Sequence, residues 1–171
     1  KKEDILESIA ELEKTKERIK SENLSEKNIA LNLAKTITGI PLIYYPWGLQ
    51  AVAVRFKNSL QENAKFHVIS EDMIESCHNG IVSWEKSSNV QPILIEGDDD
   101  YFKTKERWEI LKYFFKKNSI EWKEVKSVKG DILSKIINLI YILDYTSIYL
   151  AILSEVDPSP VNAIDFVKKH M

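Results

Sequence analysis

Ile40-Pro41-Leu42-Ile43-Tyr44-Tyr45-Pro46-Trp47-Gly48 is the stretch on which the fold turns. Its first six residues are apolar and β-rich without alternation, the composition of a short strand buried on both faces, and Pro-Trp-Gly then turns the chain into a new helix. The same unit recurs outward from there. A second strand is predicted at Phe66 to Ile69, after a helix ending near Lys65, and a third at Pro92 to Ile95, stopping at Glu96-Gly97-Asp98-Asp99-Asp100. Trp108, Leu111, Phe114 and Phe115 repeat at helical spacing, and Ile120 with Trp122 then alternates as a fourth strand. Strands separated by helices of this length are joined by right-handed crossovers, so the expected fold class is α/β, a three-layer α/β/α sandwich with a mainly parallel sheet. Ligands in such sheets sit at the carboxyl ends of strands, which directs attention to the loops after Tyr45, Ile69 and Ile95.

The flanks read as helices. Ile5, Ile9, Leu12 and Ile19 fall near one face of a helix from Glu3 to Lys20 and are expected to cover something. Ser25 is placed to cap a helix from Glu26 to Thr38, whose apolar side is Ile29, Leu33, Ala34 and Ile37 and which Gly39 ends. Ile132 to Leu153 is the most apolar stretch; its interruptions at Lys135, Asn138 and Asp144 argue for a buried or interface helix over a membrane span. Asp157-Pro158-Ser159-Pro160 breaks that helix, and Val161 to His170 resumes helical spacing with Val161, Ile164 and Val167 inward. The expected division is a linker helix over residues 1–24 and one domain over residues 25–171.

Composition bounds the function. With 171 residues, 44% hydrophobic and 29% charged, the chain can build one well-buried core and is not a disordered or fibrous sequence. A net charge of −2 gives no broad positive field, so neither nucleic acid nor an anionic membrane is an expected partner, and any phosphate must be held locally. The single cysteine, Cys77, excludes an internal disulfide, and with a charged start lacking a signal peptide's apolar core it fits a cytoplasmic protein. Beginning at Lys1, not Met, the chain is expected to be a piece of something longer. Phosphate-loop and dinucleotide glycine patterns are absent, and His67 and His170 lack partners at metal-ligand spacing, so no cofactor and no metal are expected.

Three residues could carry chemistry. Glu62 stands among Arg55, Lys57 and Lys65 at the end of a helix; surrounding cations would keep it ionised, as a general base requires, while on spacing alone the cluster reads as a solvated face with ion pairs. His78, sixteen positions later, carries an imidazole, the side chain type that can both give and take a proton, or it is a histidine satisfied at a helix start or in the core. Lys168, with Lys169 beside it, lies near the end of the chain, where lysines are usually solvated. Cys77 has no arrangement that would make it a nucleophile.

Together these segments resemble the C-terminal half of bifunctional phosphoglucose/phosphomannose isomerases, which are built from two sugar isomerase (SIS) domains. The resemblance rests on Asn32-Leu33-Ala34-Lys35, Ile40 to Tyr44, Val54-Arg55-Phe56-Lys57 with Gln61-Glu62-Asn63-Ala64-Lys65, His78-Asn79, and Asp157-Pro158 with Ile164 to Lys168, and it covers roughly residues 28 to 169. It implies a flavodoxin-like SIS domain that interconverts glucose 6-phosphate, and mannose 6-phosphate, with fructose 6-phosphate. It also implies roles: Glu62 as the base, His78 assisting ring opening from a neighbouring subunit of a homodimer, and Lys168 (or Lys169, one residue along) favouring the developing negative charge. The preceding SIS domain, with its phosphate-holding loops and an arginine, has no counterpart here, so the isolated chain is expected to fold but turn over poorly. Gln61 and Gly80 depart from the family's Asn and Glu, and only Ser159 and Asn162 stand where a threonine accompanies mannose activity. A sugar-phosphate-binding module without catalysis and a dimerisation domain are the competing readings.

Overall fold

In the computed structural model, which describes residues 1–171, Ile40–Tyr45 forms strand β1 at the interior of a four-stranded sheet. Its neighbours are β2 (Ile69–Asp72) on one side and β3 (Val90–Glu96) on the other, and β4 (Lys123–Lys126) pairs with β3, giving the order β2-β1-β3-β4 with every pair parallel. Register is set by Leu42 opposite Ile69, Ile40 opposite Val90 and Ile93 opposite Lys123. The inner strands bury both faces. Ile43, Ile93 and Ile95 pack into one core, while Leu42, Tyr44 and Leu94 pack into another.

Strand order explains the layers. From β1 the chain moves to β2 through α3 (Gln50–Asn63), and from β3 it moves the opposite way to β4 through α5 (Phe102–Lys117). Right-handed crossovers in opposite directions place the two helices on opposite faces. Accordingly Val52, Phe56 and Leu60 of α3 join the first core with Leu139, Ile142 and Leu143 of α6 (Ile132–Leu153), and Trp108, Leu111 and Phe115 of α5 fill the second. Phe115 there meets Trp84 edge-on at 5.4 Å and Trp122 at 6.0 Å between ring centroids. Tyr44 is fully buried beside them, its hydroxyl accepting from Trp84 Nε1 (3.0 Å), and burial pushes its pKa up to about 12. The α/β three-layer expectation is met.

Several boundaries move. β2 begins at Ile69, where the sequence pattern ended it, because Phe66 N–H bonds back to Leu60 O and keeps residues 64–68 as the exit from α3. β4 begins at Lys123, after Ile120 and Trp122, both of which pack against the α5 core. Helix α2 runs only over Ile29–Thr36, capped by Asn28, whose side chain accepts from Leu31 N–H (3.0 Å); Ser25 instead caps a turn by accepting from Lys27 N–H. Gly39 lies beyond that helix. Its place is fixed by Asn89, whose carbonyl accepts from Ile40 N–H (2.9 Å) and would collide with any β-carbon at position 39.

The first helix, α1 (Lys2–Ile19), meets the expected face in part: Ile19 is buried and Leu12 half-buried, and the inward side is turned toward Ser8 and Thr15. Ser8, Thr15 and Ile19 are buried against α6, whereas Ile5 and Ile9 remain about half exposed (52% and 48%). Small polar side chains let the helices approach and bond across the seam: Ser8 Oγ to Ser134 Oγ at 2.9 Å, and Asn138 Nδ2 to Thr15 Oγ1 at 2.7 Å. At the far end Tyr149 hydroxyl donates to Ile19 O (2.6 Å). By length and composition α6 could span a membrane, yet it packs between α1, α2 and α3.

Thr15→Val strands the buried Asn138 amide and should cost about 1–3 kcal/mol in urea denaturation, because a buried donor without a partner forfeits its solvation. Adding Asn138→Leu to that variant should recover most of the loss. An additive or larger loss in the double variant would show that packing, not the hydrogen bond, holds the seam.

Candidate active site

Glu62 occupies the last turn of α3 with its side chain exposed. Because α3 returns antiparallel to the strands, its C-terminus lies at the amino-terminal edge of the sheet, where β2 begins. Glu62 therefore lies away from the loops after Tyr45, Ile69 and Ile95 to which the strand ends directed attention. Between this turn and the start of α7 (Asn162–His170) lies a cavity of about 270 Å³, lined by Gln61, Glu62 and Lys65 on one side and residues 160–164 on the other.

Two of the three cations near Glu62 in sequence, Arg55 and Lys65, are engaged elsewhere. Arg55 holds Asp144 of α6 through Nε (3.1 and 3.2 Å) and Nη2 (2.9 Å), and Asp144 also accepts from Ser59 Oγ (2.7 Å). The Asp144 hydrogen bond raises the Arg55 pKa still further above its ordinary value. One turn on, Asn63 Nδ2 donates to Ser147 Oγ (2.8 Å). Lys65 Nζ donates to two backbone carbonyls, Glu62 O (2.6 Å) and Pro160 O (2.7 Å). The Glu62 carboxylate stands without a bonded cation, and Arg55 meets it only through space. Asp144 and Ser147, which fix the helix carrying Glu62, escaped the sequence reading as site residues; the signal was there, since Asp144 is one of the polar interruptions in an otherwise apolar helix.

Lys168 lies on α7, one turn past Ile164, so it continues the helix face that lines the Glu62 cavity; Lys169 is one position round. No residue of α7 is buried. Ile164 and Val167, expected inward, are 43% and 54% exposed because the helix has no packing partner within the chain. His78 is exposed and follows α4 (Met73–Ser76), which starts directly after β2, placing it at the carboxyl edge of the sheet. Glu62 and His78 are thus separated by the full length of β2 and its flanking turns, more than about 13 Å for the strand's four residues. One protomer brings Glu62 and the Lys168 helix together and leaves His78 apart.

Several other polar groups bond within the chain. Asp99 pairs with Lys135, and Asp100 accepts from Gly97 N–H (3.0 Å) and Trp108 Nε1 (3.2 Å), so the acidic loop after β3 is tied down. Lys112 bridges Glu96 (2.7 Å) and Glu124 (3.1 Å). Burial pushes the Cys77 thiol up, which disfavours the thiolate.

The family described as "Bacterial phospho-glucose isomerase C-terminal SIS domain" matches residues 26–171. The chain belongs to this SIS family. A bifunctional phosphoglucose/phosphomannose isomerase from Caldicellulosiruptor bescii is 31% identical over 98% of the chain and 51% of that protein. One from Aquifex aeolicus is 27% identical over 94% of the chain and 52% of its own length. The chain therefore spans about half the length of these relatives. Among solved structures, a glucose-6-phosphate isomerase like protein from Thermus thermophilus superposes with a TM-score of 0.77 at 20% identity, covering 98% of this chain and 56% of that one. The C-terminal domain of a glucosamine-fructose-6-phosphate aminotransferase from Francisella tularensis superposes at 0.60 and 14% identity, covering 90% of this chain and 43% of that one. Both share the fold described above.

Gly80, where the resemblance implies a glutamate after His-Asn, lies against β2. A β-carbon at position 80 would stand 2.7 Å from Glu71 Oε2, so the Glu71 carboxylate of β2 fills the space beside the His78 loop. Burial raises the Glu71 pKa, and the nearby Glu75 and Asp72 charges add to it. A carboxyl raised in the folded state contributes stability that is complete below its unfolded value near 4.5 and lost as pH rises through the folded value. Glu71→Gln should therefore raise the melting temperature at pH 7.5 and leave it unchanged below pH 4.5. Equal melting temperatures at both would mean that Glu71 is solvated.

Proposed function

We propose that this chain is the catalytic half of an aldose-ketose isomerase that interconverts glucose 6-phosphate, and mannose 6-phosphate, with fructose 6-phosphate. The observation that carries the reading is the cavity shared by Glu62, free of any bonded cation, and the α7 face that continues to Lys168. Membership in the sugar-phosphate isomerase family and the names of its relatives supply the substrate class.

Glu62 takes the proton from C2 of the open-chain aldose while the C1 carbonyl oxygen receives the electron pair, forming an enediolate. The same carboxyl returns that proton to C1 as the pair moves back to make the C2 carbonyl, and the hydroxyl proton passes from O2 to O1. A base within hydrogen-bond reach of adjacent carbons suffices for both transfers. Rotation of the enediolate about C2–C3 before reprotonation lets one pocket accept both epimers. No net oxidation occurs, so the chemistry calls for no redox cofactor. Lys168 favours the negative oxygen, a role that requires substrate and the preceding SIS domain to cover this exposed helix. The phosphate and the remaining charge fall to the preceding SIS domain, for which about half of each relative's length is available.

His78 assists ring opening from a second copy. At the opposite edge of its own sheet it cannot reach the Glu62 cavity of the same protomer, so its participation implies a homodimer with composite sites.

Glu62→Gln in this chain joined to its preceding SIS domain should lower kcat by about 10²–10⁴-fold, the contribution of a positioned base, with substrate binding retained. A sugar-phosphate sensor would show no turnover to lose. Subunit mixing tests the composite site. Glu62→Gln and His78→Asn proteins should each be nearly inactive, and on remixing should recover about a quarter of wild-type activity, since half the dimers are mixed and each has one intact site. Recovery of nothing would place His78 in cis or outside the mechanism.

A further inference from the structure

The helix that carries Lys168 is held to the rest of the chain by a single hydrogen bond. Residues 157–171 bury no side chain of α7, and their other hydrogen bonds are local, within the segment itself. The exception is Pro160 O, which accepts from Lys65 Nζ at 2.7 Å across ninety-five positions of sequence. The same ammonium caps the end of α3 by donating to Glu62 O at 2.6 Å. Two ends therefore meet on one cation: the last turn of the helix bearing Glu62 and the residue that leads into the helix bearing Lys168.

The backbone at this position points to a selected side chain. Lys65 has φ of +61°, the left-handed conformation just past a helix end, where glycine is the unstrained choice and any other residue costs about 1 kcal/mol. A lysine there supplies something that glycine lacks. Its exposed aliphatic stem buries little, and the two carbonyl contacts are what it adds. Both accept along fixed directions, so the ammonium sets the separation and angle between α3 and the start of α7. From Pro160 the helix rises about 1.5 Å per residue, so a small swing at its first turn becomes a larger displacement at Lys168.

We infer that Lys65 is a positioning residue, which holds the Lys168 helix in register with Glu62 and takes no part in proton transfer. The inference rests on the isomerase reading of Glu62 and Lys168 given above. Its Nζ, committed to two backbone oxygens beside the cavity, has no need of the substrate.

The test uses this chain joined to its preceding SIS domain, with Lys65→Met, Lys65→Gly and Lys65→Arg. Lys65→Gly removes the backbone strain with the clamp, so its melting temperature should equal or exceed that of the wild type while kcat falls about tenfold to a hundredfold, as misplacement of a catalytic group does, with KM little changed. Lys65→Met should lose kcat similarly, and Lys65→Arg, able to reach both carbonyls, should recover most of it. Independently of activity, spin labels at Asn58→Cys and Met171→Cys, in a background without other cysteines, should give a narrow distance distribution that broadens in the Gly and Met variants. An unchanged distribution overturns the clamp. A broadened distribution with wild-type kcat overturns the positioning role, as does a kcat loss that follows melting temperature across the variants. A wild-type protein without isomerase turnover would instead sink the assignment of Glu62 and Lys168, and the distance measurement would still decide whether Lys65 holds α7.

Discussion

The helical layer on one face of the sheet is referred to α6. It is the element against which α1, α2 and α3 all pack, and its apolar side chains supply contact without direction. Direction comes from the polar residues set into it. Ser134 meets Ser8, Asn138 meets Thr15, Asp144 meets Arg55 and Ser59, and Ser147 meets Asn63. A hydrogen bond at a buried or half-buried seam tolerates little sliding or rotation, since a displaced donor is left dry and unpaired. The apolar surface thus makes the helical layer cohere, and the polar pairs choose its register. Glu62 inherits its position from that choice.

The sheet adds a second constraint. Strand order β2-β1-β3-β4 sends α3 back along one face, and a helix returning from β1 to β2 must end where β2 starts. A carboxylate in its last turn is then fixed at the amino-terminal edge. A histidine that follows β2 is fixed at the other edge. No rotamer change spans that gap, so a mechanism needing both groups has to draw them from two molecules. The exposed, amphipathic α7, with Ile164, Phe166 and Val167 all uncovered, is the only α-helix in the chain that buries none of its own residues on the fold, and it carries the remaining candidate residue.

How far this was legible in the sequence depends on the range of the interaction responsible. Doubly buried strands announce themselves locally, as Ile40 to Tyr45 does, because two cores demand apolar residues at consecutive positions. Strand ends are less local. β2 starts three residues later than the pattern suggested because a backbone bond from Phe66 to Leu60 delays it, and β4 starts after Trp122 because that ring belongs to the α5 core. The inward face of α1 follows its apolar residues only in part for a related reason: Ile19 is buried, but the seam with α6 also selects serine and threonine for close approach. For the candidate site, residue types made Glu62 and His78 possible and the family resemblance gave them roles, but the partners of the neighbouring cations, Asp144 and Pro160, lie 89 and 95 positions away from them. Contacts of that separation leave only an indirect trace, an aspartate inside an apolar helix.

The segment from Arg55 to Lys65 shows what such a trace encodes. Arg55, Ser59 and Asn63 are spaced by four and form one stripe, and all three bond to α6. Lys65 bonds to backbone at both helix ends that it touches. Read as charges, the segment is a carboxylate set among cations. As a bearing surface it is the opposite: the stripe and the terminal lysine hold the helix, and Glu62, off that stripe, keeps its carboxylate unengaged. A base gains more from fixed direction than from a neighbouring positive charge, since proton transfer between adjacent carbons requires one oxygen to reach both without the carboxylate being held elsewhere. The motif's specificity lies in that division of labour, which is why its residues are informative as a set and ordinary one by one.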